Sequence, residues 1–239
     1  MSTDRLKAAV LISGGGSNLN ALIQAIAADN LSLDIVRVIS NRAEAGGLKH
    51  ARDAGIPVSV IPHQQYADRD AHDCAIAEAL EGDVLDGSGP ALIILAGYMR
   101  ILSAGFARRF SNRMINLHPS LLPLYKGLDT YNRAIAAGDQ YTGASIHVVT
   151  ADLDDGPVIS QVRIAIEAND NAATLAAKLG PLEHKLLLAT AREFSEGHLK
   201  IMSCPAKNGA QAGSQVTFKG EALISPLRLQ TDGYLQKAV

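Results

Sequence analysis

The sequence predicts an α/β fold, a doubly wound and mostly parallel β-sheet with helices on both faces. Four short, mostly apolar runs in residues 1–96, of which the first is continuous, are typical of buried parallel strands. The first three runs are each followed by a segment whose apolar residues recur at helical spacing. Strands that alternate with helical crossovers build a parallel sheet covered on both sides. Hydrophobic residues make up 47% of the 239 residues, which is enough to fill such a core.

The elements of the first half follow from these patterns in order. The predicted strands cover residues 8–13, 35–40, 58–61 and 91–96. The predicted helices cover residues 19–28, 46–54 and 69–80. The first strand ends in glycines and the third arrives just after Pro57, and such turn residues commonly bound strands. The alternation is Rossmann-like, and ligands of such folds bind at the carboxyl ends of the strands.

The second half has shorter strands and one long helix. The predicted strands cover residues 115–117, 144–149 and 158–166. An amphipathic helix is predicted over residues 174–194, interrupted at Gly180 and Pro181. Either Asp170 or Asn171 would cap its start, because both side chains can accept a hydrogen bond from the first free backbone N–H groups.

The composition changes towards the end of the chain. Residues 206–214 are small and polar, as in a flexible loop. Residues 216–218 and 222–224 flank a Lys-Gly-Glu turn, which predicts a terminal hairpin. We therefore expect one domain over residues 1–205, with halves at about 1–100 and 101–205. Residues 206–239 would form a C-terminal extension, made of the loop and the hairpin.

Composition and charge exclude several function classes. The 22 basic and 24 acidic residues give a net charge of −2, without the basic excess of non-specific nucleic-acid binders. Aromatic residues are only 4% and tryptophan is absent, so base-stacking platforms are not expected. Two distant cysteines and the lack of a long apolar run or signal peptide indicate a cytoplasmic protein. We expect small-molecule substrates, no nucleic-acid or membrane partner, and a monomer or homodimer.

A glycine-rich loop over residues 13–18 joins the first strand to the first helix. Its glycines let the backbone approach an anion, and Ser17 with the free N–H groups of the helix start can bond phosphate oxygens. The spacing is neither that of a dinucleotide loop nor that of a Walker loop, so a single phosphate fits better. The alternative is a tight glycine turn in which Ser17 or Asn18 caps the helix.

The segment Asn116-Leu-His118-Pro119 ends a short strand in the second half. Residues two apart on a strand point to the same side, so the amide and the imidazole would lie together. Asn116 could donate to a developing oxyanion, and His118 could do the same or exchange protons. The alternative is a histidine at the edge of the core that bonds only to backbone.

An acidic turn, residues 152–157, joins the next two strands. A carboxylate near His118 would favour the imidazolium form, raise the pKa of His118 and orient the ring. The alternative is an ordinary Asx-rich turn, in which Asp and Gly are common. A divalent metal is not expected, because no second set of ligands has suitable spacing.

Together these residues resemble those of a known family, the phosphoribosylglycinamide formyltransferases, folate-dependent enzymes of purine synthesis. The resemblance covers about residues 7–200 and implies the formyltransferase fold. Its motifs stand in the family's order and spacing at residues 14–18, 95–103, 116–123, 127–128, 143–147 and 153–157.

The resemblance implies formyl transfer from 10-formyltetrahydrofolate to the amine of 5'-phosphoribosylglycinamide, without a metal. It implies that the catalytic residues are Asn116, His118 and Asp154. It assigns the first half of the domain mainly to the ribonucleotide and the second half mainly to the folate. The implied ribonucleotide-binding residues, drawn from both halves, are Gly16, Ser17, Asn18, Gly180, Pro181, Leu182 and Glu183. The implied folate contacts, also drawn from both halves, are Arg69, Met99, Arg100, Ile101, Leu102, Asn116, Thr150, Ala151, Asp152, Leu153 and Asp154.

The sequence departs from the family's usual pattern at four places near these motifs. Asp155 stands where glycine is common, which puts a second carboxylate beside Asp154. Lys126, Asp129 and Tyr131 stand where proline and histidines are frequent. The partner of His118 and the contacts of the loop therefore stay open at this point.

Other folate formyl enzymes share the arrangement of Asn116, His118 and Asp154, and they are alternatives to formyl transfer to the ribonucleotide. A formyltetrahydrofolate hydrolase usually carries an extra N-terminal domain, for which the start of the first strand leaves no room. A methionyl-tRNA formyltransferase needs a basic C-terminal domain, whereas residues 205–239 contain three lysines and one arginine. A non-catalytic nucleotide-binding module would need no proton-transfer residues, so an intact Asn116, His118 and Asp154 set favours an enzyme.

Overall fold

The computed structural model describes residues 5–81, 92–204 and 213–237. Its strands form a nine-stranded sheet and a smaller three-stranded sheet. The strands are β1 Leu6–Ile12, β2 Leu33–Ser40, β3 Val58–Val60, β4 Leu92–Leu95, β5 Met114–His118, β6 Tyr141–Val148, β7 Val158–Ala165, β8 Leu199–Cys204, β9 Gly213–Phe218, β10 Glu221–Ala222, β11 Leu227–Leu229 and β12 Leu235–Lys237. The helices are α1 Ser17–Ala27, α2 Gly47–Asp53, α3 Arg69–Glu81, α4 Ala104–Arg109, α5 Thr130–Ala136 and α6 Ala172–Ser195, and a 3-10 turn covers His63–Gln65.

The predicted fold class is confirmed. The large sheet has the order β12-β11-β7-β6-β5-β4-β1-β2-β3, and its strands β3, β2, β1, β4 and β5 are parallel neighbours. The strand order reverses between β1 and β4, because the chain leaves β1 for one side of the sheet and returns through β4 on the other. Open α/β sheets bind ligands at this kind of reversal, at the carboxyl ends of the strands.

The core lies on both faces of the sheet. Successive residues of β1 alternate between the two faces, so Ala8, Val10 and Ile12 pack into one cluster and Ala9 and Leu11 into the other. Helices α1 and α6 cover the first cluster, and α3 and α4 cover the second. This arrangement explains why β1 is continuously apolar rather than alternating.

The prediction of an interrupted last helix is wrong. Helix α6 runs without a break through Gly180 and Pro181, and Leu179 and Leu186 on either side are fully buried in the core. A proline inside a helix removes one backbone hydrogen bond, and here the tertiary packing outweighs that loss. Of the two candidate caps, Asn171 is the one used, since its Oδ1 accepts from the backbone N–H groups of Ala173 and Thr174.

The chain end takes part in both sheets. The predicted hairpin is present, because β9 and β10 pair across Lys219 and Gly220, but β8 pairs with β9 as well. Strand β11 then runs parallel to β7 and adds β12 to the edge of the large sheet. Of the predicted loop 206–214, residues 206–212 lie outside the described part of the chain, as does residue 91 of the predicted strand 91–96.

No helix within residues 5–81, 92–204 and 213–237 has the length and apolar character needed to cross a membrane.

Candidate active site

The glycine loop lies at the carboxyl end of β1, as predicted. Gly16 has φ +73° and stands immediately before α1, with no side chain capping the helix. The alternative of Ser17 or Asn18 as a helix cap is therefore wrong. Ser17 is exposed at the first position of α1, so its hydroxyl and the uncapped N–H groups beside it are available to an anion.

The loop packs so closely on α2 that glycine is required. A Cβ on Gly16 would lie 2.5 Å from Gly47 Cα, and a Cβ on Gly47 would lie 2.7 Å from Ile12 Cδ1. The N–H of Gly47 also donates to Gly14 O over 3.0 Å. Gly14 and Gly15 stay exposed, so the outer side of the loop is open to a ligand.

Ser13 connects the glycine loop to the segment that follows β4. Its Oγ donates to Asn41 Oδ1 over 2.6 Å and accepts from the N–H of Met99 over 2.7 Å. Its backbone N–H donates to Gly97 O over 3.0 Å. Ser13 is buried, so these bonds fix the start of the glycine loop against residues 97–99.

Asn116 and His118 lie on one side of β5, as the spacing predicts. The Nδ2 of Asn116 is 3.1 Å from Nε2 of His147, which stands directly opposite on the antiparallel strand β6. The Nε2–H of His118 donates to the carbonyl oxygen of Tyr125 over 2.9 Å. His118 is 5% exposed, so the alternative of a histidine bonded to backbone describes part of its surroundings.

Asp154 faces both histidines. Its Oδ2 is 3.5 Å from His118 Nδ1, and its Oδ1 is 3.4 Å from His147 Nε2. The N–H of Gly127 donates to Asp154 Oδ2 over 2.9 Å. Asp154 has φ +48°, a left-handed conformation that turns its carboxylate inward from the loop.

Asp155 turns the other way. Its carboxylate is exposed and accepts a hydrogen bond from Lys126 Nζ. Two of the departures from the family pattern are therefore partners of each other. Asp154 is the carboxylate beside His118, which settles the ambiguity left by the sequence.

The expected rise in the pKa of His118 is not found. Burial is the largest influence and lowers the pKa of His118 below its ordinary value, although the Tyr125 carbonyl and Asp154 act in the opposite direction. Burial alone would raise the pKa of Asp154, but hydrogen bonds from His147 and Gly127 hold it below its ordinary value. The free site therefore pairs an ionised carboxylate with a neutral imidazole at neutral pH.

Apolar side chains are exposed in the segments around this cluster. Met99 is 64% exposed, Ile101 49% and Leu153 46%, while Leu102 beside them is buried. Large exposed apolar groups in neighbouring loops are typical of a ligand surface. Of the other residues in these segments, Thr150 and Arg100 are half-buried, and Ala151 and Asp152 are exposed.

Two predicted arginines differ in their surroundings. Arg69 is exposed at the start of α3. The Nε of Arg100 is buried without a hydrogen-bond partner among the described residues. A buried donor left without a partner is costly, so Arg100 is suited to an acceptor brought by a ligand.

Glu183 lies on α6 near the glycine loop. Burial raises the pKa of Glu183, while hydrogen bonds with Asn18 and Tyr131 oppose that rise. Asn18 Oδ1 is buried and has no partner among the described residues, which leaves an acceptor at this place. Tyr131, a departure from the family pattern, is thus part of the same cluster, and its pKa is raised mainly by burial.

The remaining predicted positions have no polar side-chain contacts in the described structure. Gly180 and Leu182 are half-buried and Pro181 is exposed on α6, next to Glu183. Asp129, another departure, precedes α5 with φ +58° and accepts from Asn132 Nδ2 over 2.6 Å.

One group of side chains in the described part of the chain has the spacing to hold a metal ion, and it lies away from the catalytic cluster. Glu193, Glu196 and His198 at the end of α6 have ligand atoms within 4.8 Å of one another. His198 Nδ1 already contacts Glu193 Oε2 at 2.8 Å. A histidine bridging two carboxylates in this way is sufficient to explain the cluster.

Sequence reasoning missed His147, the backbone partner Tyr125 and the connecting residue Ser13. His147 lies in the motif of residues 143–147, but its place opposite Asn116 follows only from the antiparallel register of β5 and β6. The alternation of β6 puts residue 147 on the side of residue 145 and does not by itself show which strand lies opposite. The Tyr125 carbonyl and the Ser13 hydroxyl carry no sequence signal of their own.

Comparison with known proteins places the chain among enzymes of one kind. A family model described as formyl transferase matches residues 6–191. The chain is 38% identical over 192 residues to the phosphoribosylglycinamide formyltransferase of Escherichia coli, an alignment that covers 80% of this chain and 88% of that protein. It is 40% identical over 197 residues to the human trifunctional purine biosynthetic protein adenosine-3, covering 82% of this chain and 19% of that larger protein.

Solved structures agree with the sequence relatives. The phosphoribosylglycinamide formyltransferase of Coxiella burnetii superposes with a TM-score of 0.79 at 41% identity, covering 91% of this chain and 95% of that one. The glycinamide ribonucleotide transformylase 1 of Symbiobacterium toebii superposes with a TM-score of 0.76 at 33% identity, covering 89% and 95%. The chain belongs to the formyl transferase family and, within it, to the phosphoribosylglycinamide formyltransferases.

Proposed function

We propose that this enzyme transfers the formyl group of 10-formyltetrahydrofolate to the amine of 5'-phosphoribosylglycinamide in purine synthesis. The observation that supports this proposal best is that the catalytic cluster and the glycine loop lie at the same edge of the large sheet. Asn116, His118 and Asp154 meet at the end of β5, two strands from the glycine loop at the end of β1. An anchored phosphate would thus lie beside a set of groups suited to proton transfer and oxyanion stabilisation.

We place the ribonucleotide on the side of β1. Gly16, Ser17 and Asn18 would bind its phosphate and ribose, and Glu183 would accept from ribose hydroxyls. Gly180, Pro181 and Leu182 would form the adjoining wall. The loop's open outer side and the uncapped start of α1 support this assignment.

We place the folate on the other side of the catalytic cluster. Its ring would lie against the exposed apolar side chains of Met99, Ile101 and Leu153. Arg69 and Arg100 would bind its polar ends. Leu102, Thr150, Ala151 and Asp152 would complete the surrounding segments, with Asn116 and Asp154 shared between binding and catalysis.

In the reaction the neutral amine attacks the formyl carbon and forms a tetrahedral intermediate. The Nδ2–H of Asn116 donates to the developing oxyanion. His118 supplies a second donor from Nε2, for which the oxyanion replaces or shares the present acceptor, the Tyr125 carbonyl. No covalent enzyme intermediate is needed, because the amine itself is the nucleophile.

The proton released by the amine must reach the departing folate nitrogen. Asp154, ionised and beside His118, accepts this proton through water and returns it to the folate nitrogen as the tetrahedral intermediate collapses and the bond between the formyl carbon and that nitrogen breaks. The Nε2 of His147 lies beside Asn116 Nδ2 and Asp154 Oδ1, so His147 acts as a positioning residue. We expect the reaction to take place in the cytoplasm and without a metal.

The function is tested by the choice of acceptor. The purified chain is given 10-formyltetrahydrofolate either alone or with 5'-phosphoribosylglycinamide, and tetrahydrofolate release is followed. Transfer predicts release that depends on the ribonucleotide and saturates with it. Equal release without the ribonucleotide would instead identify a formyltetrahydrofolate hydrolase.

A further inference from the structure

The sheet face that carries the catalytic cluster continues beyond it across β6, β7 and β11. Ser145 and His147 are two residues apart on β6 and share this face, and Ser145 is paired with Gln161 on β7. Gln161 and Arg163 are two residues apart, so they share this face. Arg228 on β11 is in register with Gln161, which brings the side chains of Arg163 and Arg228 to the same side of neighbouring strands.

Neither arginine forms an ion pair with a carboxylate of the described residues. Among residues 5–81, 92–204 and 213–237, no carboxylate oxygen lies within 4.0 Å of either guanidinium. Arg163 is stacked over the ring of Tyr141, with its Cζ 4.4 Å from the ring centroid. Both guanidinium groups line the same cavity, so a bound anion would be attracted by two positive charges.

A cavity of about 420 Å³ opens beside them. The cavity is lined by the two arginines, Gln161, the apolar segment 121–124 and Tyr141. One carboxylate, Asp139, also lines the cavity, but its Oδ2 accepts from Tyr125 Oη over 2.6 Å. The volume is within the range of small-molecule sites and would hold a ring with an acidic substituent.

The cavity is connected to the catalytic loop by direct hydrogen bonds. Gln161 Nε2 donates to Leu122 O and to Ser145 Oγ, both over 2.9 Å. The Ser145 hydroxyl in turn donates to Ser120 O over 2.6 Å. The segment bound in this way leads to Tyr125, whose carbonyl accepts from His118.

We propose that this cavity is a second ligand site, separate from the catalytic cluster, for a small organic anion that carries a phosphate or carboxylate on an aromatic ring. Arg163 and Arg228 bind the anionic group, and the ring packs against Tyr141 and the segment 121–124. Occupancy acts on turnover, because the cavity wall is the segment that leads to the acceptor of His118. The C-terminal strand β11 thereby gains a role, since it supplies Arg228.

The probe for this site is phenyl phosphate, titrated calorimetrically into the whole chain in the presence of saturating 5'-phosphoribosylglycinamide, which occupies the glycine loop. We expect one binding event at the cavity, at least about tenfold tighter for phenyl phosphate than for inorganic phosphate, because the ring adds apolar contact. Arg163→Gln and Arg228→Gln should each weaken binding about tenfold, the effect of losing one charge-assisted contact. The exposed Arg52→Gln on α2 is the matched control and should leave binding unchanged.

The proposed site would be disproved if phenyl phosphate bound to the Arg163→Gln variant and to the Arg228→Gln variant as tightly as to the wild type. So would inorganic phosphate that binds as well as phenyl phosphate, since charge alone would then explain the result. Turnover is measured in parallel, and phenyl phosphate should change kcat in the wild type and in Arg52→Gln but not in the two cavity variants. Binding without any change in kcat would overturn the effect on turnover.

Discussion

Adjacent residues in one turn differ sharply in their surroundings. Asp154 is held by Gly127, His118 and His147, whereas Asp155 points outward to Lys126. We predict that Asp154→Asn lowers kcat by about 100-fold or more, because an amide cannot accept the proton and general acid–base groups contribute at least that much. The Kd of each substrate should change far less, and steady-state kinetics with separate binding measurements will show the difference.

Asp155→Asn is the matched control for this prediction. It removes one exposed ion pair with Lys126, which is worth little in solvent. We expect kcat within about twofold of the wild type. A dead Asp155→Asn beside an active Asp154→Asn would reverse the assignment of the catalytic carboxylate.

Ser13 is expected to act on both substrate sites at once. Ser13→Ala leaves the Met99 N–H and the buried Asn41 Oδ1 without their partner, and loss of a buried partner typically costs about 1–3 kcal/mol. We predict that the KM values for the ribonucleotide and for the folate both rise about fivefold or more, while kcat falls less.

The comparison for Ser13 is Ser17→Ala, measured in the same two-substrate assay. Ser17 is exposed on the glycine loop and its side chain makes no hydrogen bond within the described part of the chain, so only the ribonucleotide KM should rise. If Ser13→Ala raised one KM alone, the proposed connection between the two sites would be disproved.

At this scale the sequence predicts residue types better than contacts. The spacing of Asn116 and His118 is sufficient to place both side chains on one side of β5. The protonation preference of His118 is not predictable in the same way, because it depends on burial contributed by other segments. The partner of Asp155 could not be predicted either, since Lys126 is distant in the chain.

Among the elements, β11 is the one that the sequence predicts least, and it pairs with β7 in the large sheet. Leu227 is fully buried in the core of the large sheet, although it follows a segment with no clear pattern. We predict that Leu227→Ala lowers the free energy of unfolding by about 2–5 kcal/mol, the usual cost of a cavity of this size. Urea denaturation followed by circular dichroism measures the change.

Ile224→Ala provides the control in the same region. Ile224 is 97% exposed. Its substitution by alanine should therefore lower the free energy of unfolding by less than about 0.5 kcal/mol. Equal losses in Leu227→Ala and Ile224→Ala would mean that β11 does not pack on the large sheet in solution.

Elements are predicted where local pattern and tertiary packing agree. The parallel strands of the first half are mostly apolar runs, and the structure has each of them. Helix α6 is different, since the local preference of Gly180 and Pro181 opposes a helix and burial of Leu179 and Leu186 outweighs it. Strands β8, β11 and β12 exist through pairing with other strands, which short segments do not reveal.

For the whole molecule, two histidines with lowered pKa values should make mild acid destabilising, an effect that the raised pKa of Glu183 opposes only in part. The pKa values of His118 and His184 are both lowered by burial, so the unfolded chain binds protons more readily than the folded one as pH falls below about 6.5. The stability these groups contribute is thus complete above pH 6.5 and decreases below it. The lowered pKa of Asp154 adds a further loss only below its ordinary range.

Urea unfolding at pH 7.5 and at pH 5.5 tests this sign. The wild type should have a lower free energy of unfolding at pH 5.5 than at pH 7.5. In a double variant with His118→Gln and His184→Gln, this decrease should be smaller. Equal stability of the wild type at both values, or an unchanged loss in the double variant, would contradict the assignment to these histidines.

The whole fold is the most predictable level, because the sequence of strands and crossovers limits the topology to a few choices. The site is predictable as a location at the strand ends and as residue types. Its internal geometry depends on the antiparallel register of β5 and β6 and on the conformation of the turn at Asp154, which the sequence does not encode locally.

The central claim is that the cluster of Asn116, His118 and Asp154 delivers the formyl group to an amine and not to water. The most direct measurement is the amount of N-formylglycinamide ribonucleotide formed for each tetrahydrofolate released when both substrates are present. We predict one product for each tetrahydrofolate, with almost no release when the ribonucleotide is left out. Free formate in place of the formylated ribonucleotide would contradict the claim.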